Sequence, residues 1–297
     1  MTRKTRALWC PLAAVVIAAV AAAEETGNGQ PAVDKSTFHL FNPTPSAYLR
    51  ELDVDGPGNT ASPHTVDAGH FQVEMDLVSY TSDRESRRGV TRRLDAWTIA
   101  PINLKLGVLD QLDAELILET WNLVHERVGR RRVTRRGFGD ITARVKYNFW
   151  GNDSGRTAFA AMPYVKFPTN EEHIGNHSVE GGLILPLEVT VPWDFGMGLM
   201  MKFDAVRDDD NRGYHTEFVN SVDVGHDLFG KLSGYVEFLS AASTERGAGW
   251  VATFDPGLIY VLTRNMQLDA GVNIGLTRSA DDWNPFVGVA WRSGPLL

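Results

Sequence analysis

Apolar and polar residues alternate along most of the chain that follows residue 69. Between residues 266 and 276, every even position is apolar and every odd position is polar or glycine. Residues 141–149 repeat the pattern in the opposite phase, with Ile141, Val145 and Phe149 on one face and polar residues at the even positions. A period of two places neighbouring side chains on opposite faces of an extended strand. The pattern therefore predicts strands with one apolar and one polar face.

Twelve such strands are predicted, near 71–77, 102–106, 112–119, 141–149, 156–167, 178–191, 195–206, 214–227, 232–243, 248–262, 266–277 and 283–292. Short turns follow every second strand, whereas long polar loops follow the others, at 82–93, 124–136, 168–177 and 207–213, with shorter ones near 244–247 and 278–282. Outer-membrane barrels show this asymmetry of turns and loops. We therefore expect an all-β, transmembrane, up-and-down antiparallel β-barrel of about 12 strands over residues 69–292, with a tail at 293–297.

A soluble β-sandwich or a lipocalin-like barrel shows the same alternation with the apolar face turned inward. Two features favour the lipid-facing barrel. Twelve apolar half-faces exceed what one interior needs, and aromatic residues lie near strand ends, where interfacial girdles lie: Tyr147, Phe149, Phe167, Trp193, Phe195, Tyr260 and Trp291. In hydrocarbon an open sheet edge leaves backbone groups without partners, so the strands must close. Leu116, Val145 and Ile274 should accordingly face outward.

The first 23 residues have the pattern of a secretory signal peptide. Arg3, Lys4 and Arg6 precede an apolar run, and Ala21-Ala22-Ala23 supplies the small residues of a cleavage site before Glu24. No second uncharged apolar run reaches the length of a spanning helix, which excludes a helical membrane protein. The only cysteine is Cys10, so the exported chain is expected to lack disulfides. This pattern predicts export to the outer membrane.

Residues 24–68 lack sustained alternation and form an irregular segment. They hold five of the prolines, and a short helix is predicted only at 46–52. Because a twelve-stranded barrel lies between filled eight-stranded barrels and wide porins, its lumen should be narrow. The segment is therefore a candidate plug for that lumen. Removing the signal leaves 26 Lys and Arg against 37 Asp and Glu, and this net acidity argues against nucleic acid as a partner.

Several short sequence phrases follow one another along the chain in a specific order. They are Asn-Pro-Thr-Pro at 42–45, Leu-Arg at 49–50, the run 56–74, Gly-Phe-Gly-Asp at 137–140, Arg-Val-Lys-Tyr-Asn at 144–148, Met-Pro-Tyr-Val-Lys-Phe-Pro-Thr-Asn at 162–170 and Val-Glu-Gly-Gly-Leu at 179–183. In this order the phrases resemble an outer-membrane transporter family labelled for the meta-pathway of phenol degradation. The resemblance implies a porin-like channel or transporter for small compounds, aromatic or hydrophobic ones among them.

The predicted register turns many ionisable residues toward the lumen. They are Glu74, Asp76, Lys105, Asp113, Glu115, Glu119, Asp140, Arg144, Lys146, Lys166, Glu180, Glu188, Lys202, Asp204, Glu217, Asp223, Asp255 and Asp269. Individually, such residues can be satisfied salt-bridge ladders that hydrate the interior. Together they predict a mainly acidic lumen that disfavours anions.

The first two long loops are rich in arginine and should be neighbours on the outer side of the barrel. Their arginines are Arg84, Arg87, Arg88, Arg92, Arg93, Arg127, Arg130, Arg131, Arg132, Arg135 and Arg136. Three hypotheses remain open: pairing with lipopolysaccharide phosphates, for which the guanidinium fork is suited, simple solvation, and steering of anionic substrates.

An outer-membrane hydrolase of lipase or protease type is the enzymatic alternative. His173, His177 and Ser178 lie together in the third long loop, beside two glutamates. A catalytic Ser–His arrangement needs a third, orienting group, and metal capture at a four-residue spacing needs a helix. The loop indicates neither, so we predict no catalytic residue, no metal site and no cofactor.

Overall fold

The computed structural model describes residues 33–56, 58–87, 90–171, 174–175, 177–208, 210 and 212–295. These residues form one antiparallel sheet of fifteen strands. The strands are β1 (His70–Arg87), β2 (Val90–Ile99), β3 (Ile102–Leu109), β4 (Leu112–Leu118), β5 (Trp121–Val128), β6 (Arg131–Gly137), β7 (Ile141–Trp150), β8 (Thr157–Phe167), β9 (Glu180–Val191), β10 (Phe195–Arg207), β11 (Tyr214–Phe229), β12 (Leu232–Ser243), β13 (Val251–Thr263), β14 (Met266–Gly275) and β15 (Trp283–Pro295).

Twelve of these strands form a closed barrel. β1 pairs with both β3 and β15, which joins the first barrel strand to the last and leaves no open edge around the ring. β4, β7 and then β8 to β14 complete the ring in chain order. The predicted twelve-stranded antiparallel barrel is therefore confirmed. No helix in the described part of the chain is long and apolar enough to span a membrane.

The apolar face of the sheet points outward and the polar face inward. Leu116, Val145 and Ile274 are 39%, 42% and 38% exposed, although each is paired with a residue of a neighbouring strand. Their charged strand neighbours, such as Glu115 and Lys146, are buried. A soluble sandwich would show the reverse pattern. Most of the aromatics predicted for the girdles are also exposed, at Tyr147, Phe149, Phe167, Trp193, Tyr260 and Trp291.

The first two long loops predicted from the sequence are wrong, because both stretches are strands. β2 pairs with the upper half of β1, β5 pairs with β2, and β6 pairs with β5. We call this four-stranded extension, formed by β1 from Val78 onward together with β2, β5 and β6, the outer flange. Consecutive arginine pairs place charge on both of its faces, so the hydrophobic alternation that marks the barrel strands is absent.

Two boundaries also differ from the predictions. The helix expected at 46–52 is a single 3₁₀ turn, Ser46–Tyr48, because Leu49 already has extended backbone angles. The last strand runs to Pro295, so part of the expected tail at 293–297 belongs to β15. The predicted signal peptide, and the segment as far as residue 32, lie outside the described residues.

Candidate functional site

The N-terminal segment, here residues 33–68 without the undescribed position 57, contacts inward-facing side chains on opposite walls of the barrel. Asp55 reaches Lys105 on β3 and Lys146 on β7. Thr60, only five residues further along, reaches Glu237 on β12. The segment therefore crosses the interior from one wall to the other. The lumen and this segment together form the candidate site.

Asp55 is the centre of a buried cluster of charges on the first wall. Its carboxylate lies 2.6 Å from Lys146 Nζ, 2.8 Å from Arg144 Nη2 and 3.2 Å from Lys105 Nζ. Glu115 pairs with Arg144, and Glu74 lies 2.8 Å from Lys105. Burial raises the pKa of Asp55, but the three cations outweigh it and hold that pKa well below its usual range. The charged form of Asp55 is therefore favoured, and its carboxylate ties the segment to β3 and β7.

Glu237 is the counterpart of this cluster on the second wall. Its carboxylate accepts hydrogen bonds from the Asn59 backbone N–H at 2.7 Å and from Thr60 Oγ1 at 2.6 Å. Thr60 Oγ1 also lies 2.6 Å from Ser221 Oγ on β11. A Cβ at Gly58 would come within 2.7 Å of the same carboxylate, so glycine permits this close approach. Neutral donors thus hold the segment to the second wall.

A small apolar cluster fills the space between these two polar contacts. Ala61 of the segment packs on Met162 of β8, Ile184 of β9 and Met200 of β10. A recess of about 360 Å³ lies on the long-loop side of the cluster, and a second of about 500 Å³ lies on the short-turn side. The segment with its apolar cluster therefore separates two open spaces inside one barrel.

The short-turn end of the barrel holds the segment through Arg50. Its guanidinium pairs with Asp110, in the turn between β3 and β4, and lies 3.0 Å from Asp153, in the turn between β7 and β8. It also lies 3.3 Å from buried Asp67, which pairs with Arg292 of β15 at 3.4 Å. These contacts join the middle of the segment to three separate parts of the barrel rim.

The backbone itself comes close to the wall where the segment enters β1. A Cβ at Gly107 of β3 would lie 2.1 Å from the Asp67 carbonyl oxygen, so only glycine fits this contact. The Gly69 N–H also donates to the Gly107 carbonyl at 2.8 Å. Glycine at position 107 is therefore required for the segment to lie against β3.

His64 forms a further contact between the segment and the barrel wall. Its Nε2 lies 3.2 Å from Glu188 of β9 and 3.9 Å from Asp53 of the segment. Burial lowers the pKa of His64, but the hydrogen bond to Glu188 and the charge of Asp53 raise it by more than burial lowers it. The pKa is therefore above its ordinary value. One ring nitrogen of His64 and one carboxylate oxygen from each of Asp53 and Glu188 lie within 4.8 Å of one another.

The structure places most of the predicted lumen residues on the inward face, and many of them are buried in pairs. Lys166 pairs with Glu180, and Lys202 lies 2.9 Å from Asp204. Glu119 and Asp140 lie between strands, where the Asp140 N–H donates to Glu119. The buried members are Lys105, Asp113, Glu115, Asp140, Lys146, Glu180, Asp204, Asp255 and Asp269, and Asp76, Glu188, Glu217 and Asp223 are only partly buried.

Sequence reasoning missed the residues that join the segment to the walls. Asp55 and Asp53 lie in the irregular segment, where no period indicates a direction. Glu237 lies on a predicted strand, but its inward neighbours Tyr235 and Leu239 are not charged, so the alternation does not mark this face as polar. Val236 and Phe238 are the apolar, outward-facing residues of β12. Because Glu237 lies between them, a period of two places its side chain on the inward face.

The predicted loop arginines lie mainly on the outer flange, on both of its faces. Arg92 and Arg135 pair with Glu126 on one face, while Arg93 pairs with Asp95 on the other. Arg88 lies outside the described residues, as do Glu172 and His173 of the third loop. The proposed grouping of His173 with His177 and Ser178 therefore lies partly outside them.

The fold and the interior together define a closed barrel of outer-membrane type with an occupied lumen. Residues 54–293 match the family described as "Putative MetA-pathway of phenol degradation", and the chain belongs to this family. The resemblance predicted from the sequence phrases is thereby confirmed. No curated protein sequence matches the chain.

Several solved structures of outer-membrane proteins are similar to this chain at low sequence identity, and the first of them shares its fold. An outer-membrane channel from Pseudomonas putida F1 is 13% identical, with a TM-score of 0.56, over 81% of this chain and all of that one. The translocator domain of the autotransporter NalP from Neisseria meningitidis is 12% identical, with a TM-score of 0.48, over 76% of this chain and 90% of that one. The transport unit of the autotransporter AIDA-I from Escherichia coli is also 12% identical, with a TM-score of 0.48, over 84% and 94%.

Proposed function

We propose that this protein is an outer-membrane channel that passes small compounds, single-ring aromatic ones among them, without covalent chemistry. The N-terminal segment limits passage through the barrel. One observation carries the proposal: a segment bound largely by hydrogen bonds and ion pairs divides a polar lumen into two recesses. Family membership and the fold shared with an outer-membrane channel support transport rather than hydrolysis.

The composition of the outer recess supports the solute class. Tyr164, Ile184 and Val206 offer apolar surface, while Lys166, Glu180 and Asp204 offer charge. A volume of about 360 Å³ is at the small end of the range for ligand sites. A single aromatic ring with one or two polar groups fits this combination, because the ring contacts the apolar residues and its substituents reach the charged ones.

The polar character of the contacts supports reversible opening. Water can replace each hydrogen bond between the segment and the wall, so separating them exposes little apolar surface. The cluster around Ala61 is the apolar part of this contact. A solute that enters the outer recess meets this cluster next, and displacing Ala61 from Met162 would join the two recesses.

Solute uptake into vesicles tests the proposal. Purified protein is reconstituted into phospholipid vesicles, and uptake of benzylamine, a small aromatic cation, is compared with uptake of a large oligosaccharide. The proposal expects benzylamine to enter faster than into protein-free vesicles, with the oligosaccharide excluded. Equal benzylamine entry with and without folded protein would contradict it, and a heat-modifiability gel of the same sample verifies that the barrel is folded.

A further inference from the structure

Four arginines lie side by side across the outer flange. In the strand register, Arg84 of β1 is opposite Arg93 of β2, Arg93 is opposite Arg127 of β5, and Arg127 is opposite Arg132 of β6. Directly opposite residues on neighbouring strands project to the same face, about 5 Å apart. Like charges in such positions repel, so a row of four is unfavourable unless anions lie between them. We call these four residues the arginine row.

The arginine row belongs to the outward face of the flange. The residues two positions away on the same face are Asp95 and His125, and the next pair is Trp97 and Leu123. Trp97 is exposed and packs on Tyr80, which also contacts Trp283 of β15. This aromatic group lies at the long-loop end of the lipid-facing surface, where tryptophan and tyrosine mark the boundary between acyl chains and headgroups.

The height of the arginine row above this boundary matches the headgroup layer. Four residues separate Trp97 from Arg93, a distance of roughly 13 Å along the strand. With the usual tilt of barrel strands, the row is roughly 10 Å further from the membrane centre than the aromatic group. The phosphates of outer-leaflet lipids lie at this level rather than in the hydrocarbon or far out in solution.

The arginines of the row have few carboxylate partners. All four side chains are exposed, and Arg93 pairs with Asp95 at 2.8 Å. Among the described residues, Arg84, Arg127 and Arg132 form no ion pair. On the opposite face, Arg92 and Arg135 share Glu126. A recess of about 500 Å³ opens beside the row, lined by Arg84, Val90, Thr91, Arg93, Arg127 and Gly129.

We infer that the arginine row is a binding site for the phosphate groups of lipopolysaccharide in the outer leaflet. The guanidinium fork donates two parallel hydrogen bonds to a phosphate, and several forks side by side can hold two phosphates of one glycolipid. The recess accommodates a sugar phosphate, and the aromatic group below it contacts the acyl chains. The arginine row lies on the outer surface of the barrel, so lipid binding there does not depend on whether solutes pass through the lumen.

Two double variants of the same hairpin test the inference. R127Q/R132Q removes two charges from the row, whereas R130Q/R131Q removes two charges at the tip, outside the row. Full-length mature protein in detergent is mixed with bisphosphorylated lipid A, in the presence of a chelator so that divalent cations do not bridge, and bound lipid is counted by native mass spectrometry. Inorganic phosphate and dephosphorylated lipid A are the comparison ligands.

The inference expects wild type and R130Q/R131Q to retain bisphosphorylated lipid A equally. R127Q/R132Q should bind it about tenfold more weakly, since bidentate contacts to two phosphates are weakened, and the dephosphorylated lipid should not be retained. Equal retention by both double variants would overturn it, as would equal retention of the dephosphorylated lipid. If inorganic phosphate binds as tightly as lipid A, the site is a phosphate site and the lipid assignment is wrong. A heat-modifiability gel verifies that all three proteins are folded.

Discussion

At the scale of single residues, ion pairs hold the interior of the barrel together. The alternation of the sequence predicts which charged residues face inward, but it does not predict their partners. The sequence predicted that Lys105, Arg144 and Lys146 face the lumen, and the structure shows why three cations can be buried there. Their shared partner is Asp55, about ninety residues earlier than Lys146 in the chain. Such long-range pairs leave no local period in the sequence, so the partner could not be predicted from it.

Replacing Asp55 with asparagine should loosen the N-terminal segment. The variant keeps the shape of the side chain but removes the negative charge that Lys105, Arg144 and Lys146 share in the buried cluster. Breaking a buried ion pair costs about 3 kcal/mol, which corresponds to roughly a hundredfold change in the docking equilibrium. Hydrogen exchange of the amides around residues 53–62, followed by mass spectrometry, measures that equilibrium.

The matched control is Asp34→Asn, an exposed carboxylate of the same segment. It should leave the exchange of residues 53–62 unchanged. Equal exchange in wild type and Asp55→Asn would show that the buried cluster does not hold the segment in place.

His64 should make the closed state depend on pH. Its pKa is raised above the ordinary 6.5 by Glu188 and Asp53, which outweigh the effect of burial. The charged contact is therefore fully present below about pH 6.5 and is lost as pH rises through the raised value. We expect channel conductance in planar bilayers to increase with pH over this interval.

Replacing His64 with glutamine should remove this step while keeping a hydrogen-bonding side chain. The conductance of His64→Gln should then be the same on both sides of the interval. A pH step that persists unchanged in the variant would assign the titration to other groups.

At the scale of elements, the barrel strands could be predicted and the flange could not. The barrel strands alternate because one face meets lipid and the other meets a hydrated interior, so the period of two is explicit in residues 141–149 and 266–276. The flange strands carry arginine on both faces, at Arg92 and Arg93, then at Arg131 and Arg132. Backbone hydrogen bonds to neighbouring strands hold these stretches in extended conformation, although they do not alternate between apolar and polar residues.

The turn between β9 and β10 offers a test of local strain. Trp193 and Asp194 have φ angles of 64° and 59°, in the left-handed region that glycine tolerates best. Replacing Asp194 with glycine should raise the free energy of unfolding by about 0.5 kcal/mol, because the relief of strain outweighs the added chain entropy.

Asp194→Ala is the control, since alanine tolerates positive φ less well than aspartate and should lower the free energy of unfolding. Urea titrations of the two variants in lipid vesicles provide the comparison. If glycine and alanine shift the midpoint in the same direction, strain in this turn does not govern stability.

At the scale of the whole molecule, charge is distributed unequally around the lumen. Inward-facing cations lie on β3, β7, β8 and β10, and each has a carboxylate partner: Lys105, Arg144, Lys146, Lys166 and Lys202. The predicted residues of β11, β13 and β14 are acidic, at Glu217, Asp223, Asp255 and Asp269, and Glu237 of β12 adds another carboxylate. The sequence predicted an acidic lumen but not this division between walls.

A path along the acidic wall should favour cations. We expect the reversal potential of the reconstituted channel in a potassium chloride gradient to have the sign of cation selectivity. Replacing both Asp223 and Asp255 with asparagine should reduce that potential, whereas the outer-surface variant R130Q/R131Q should leave it unchanged. Anion selectivity in the wild type would contradict the assigned register of the lumen.

Control of passage by the N-terminal segment is tested most directly by a disulfide that locks the segment to the barrel wall and can be reduced again. Thr60 and Ser221, whose hydroxyl oxygens lie 2.6 Å apart, are replaced by cysteines in a protein expressed without the predicted signal peptide, which contains the only natural cysteine, Cys10. Single-channel conductance is recorded under oxidising conditions and again after reduction. We predict that the disulfide-locked channel stays closed and that reduction restores openings, whereas conduction that is equal in the two states would contradict control of passage by the segment.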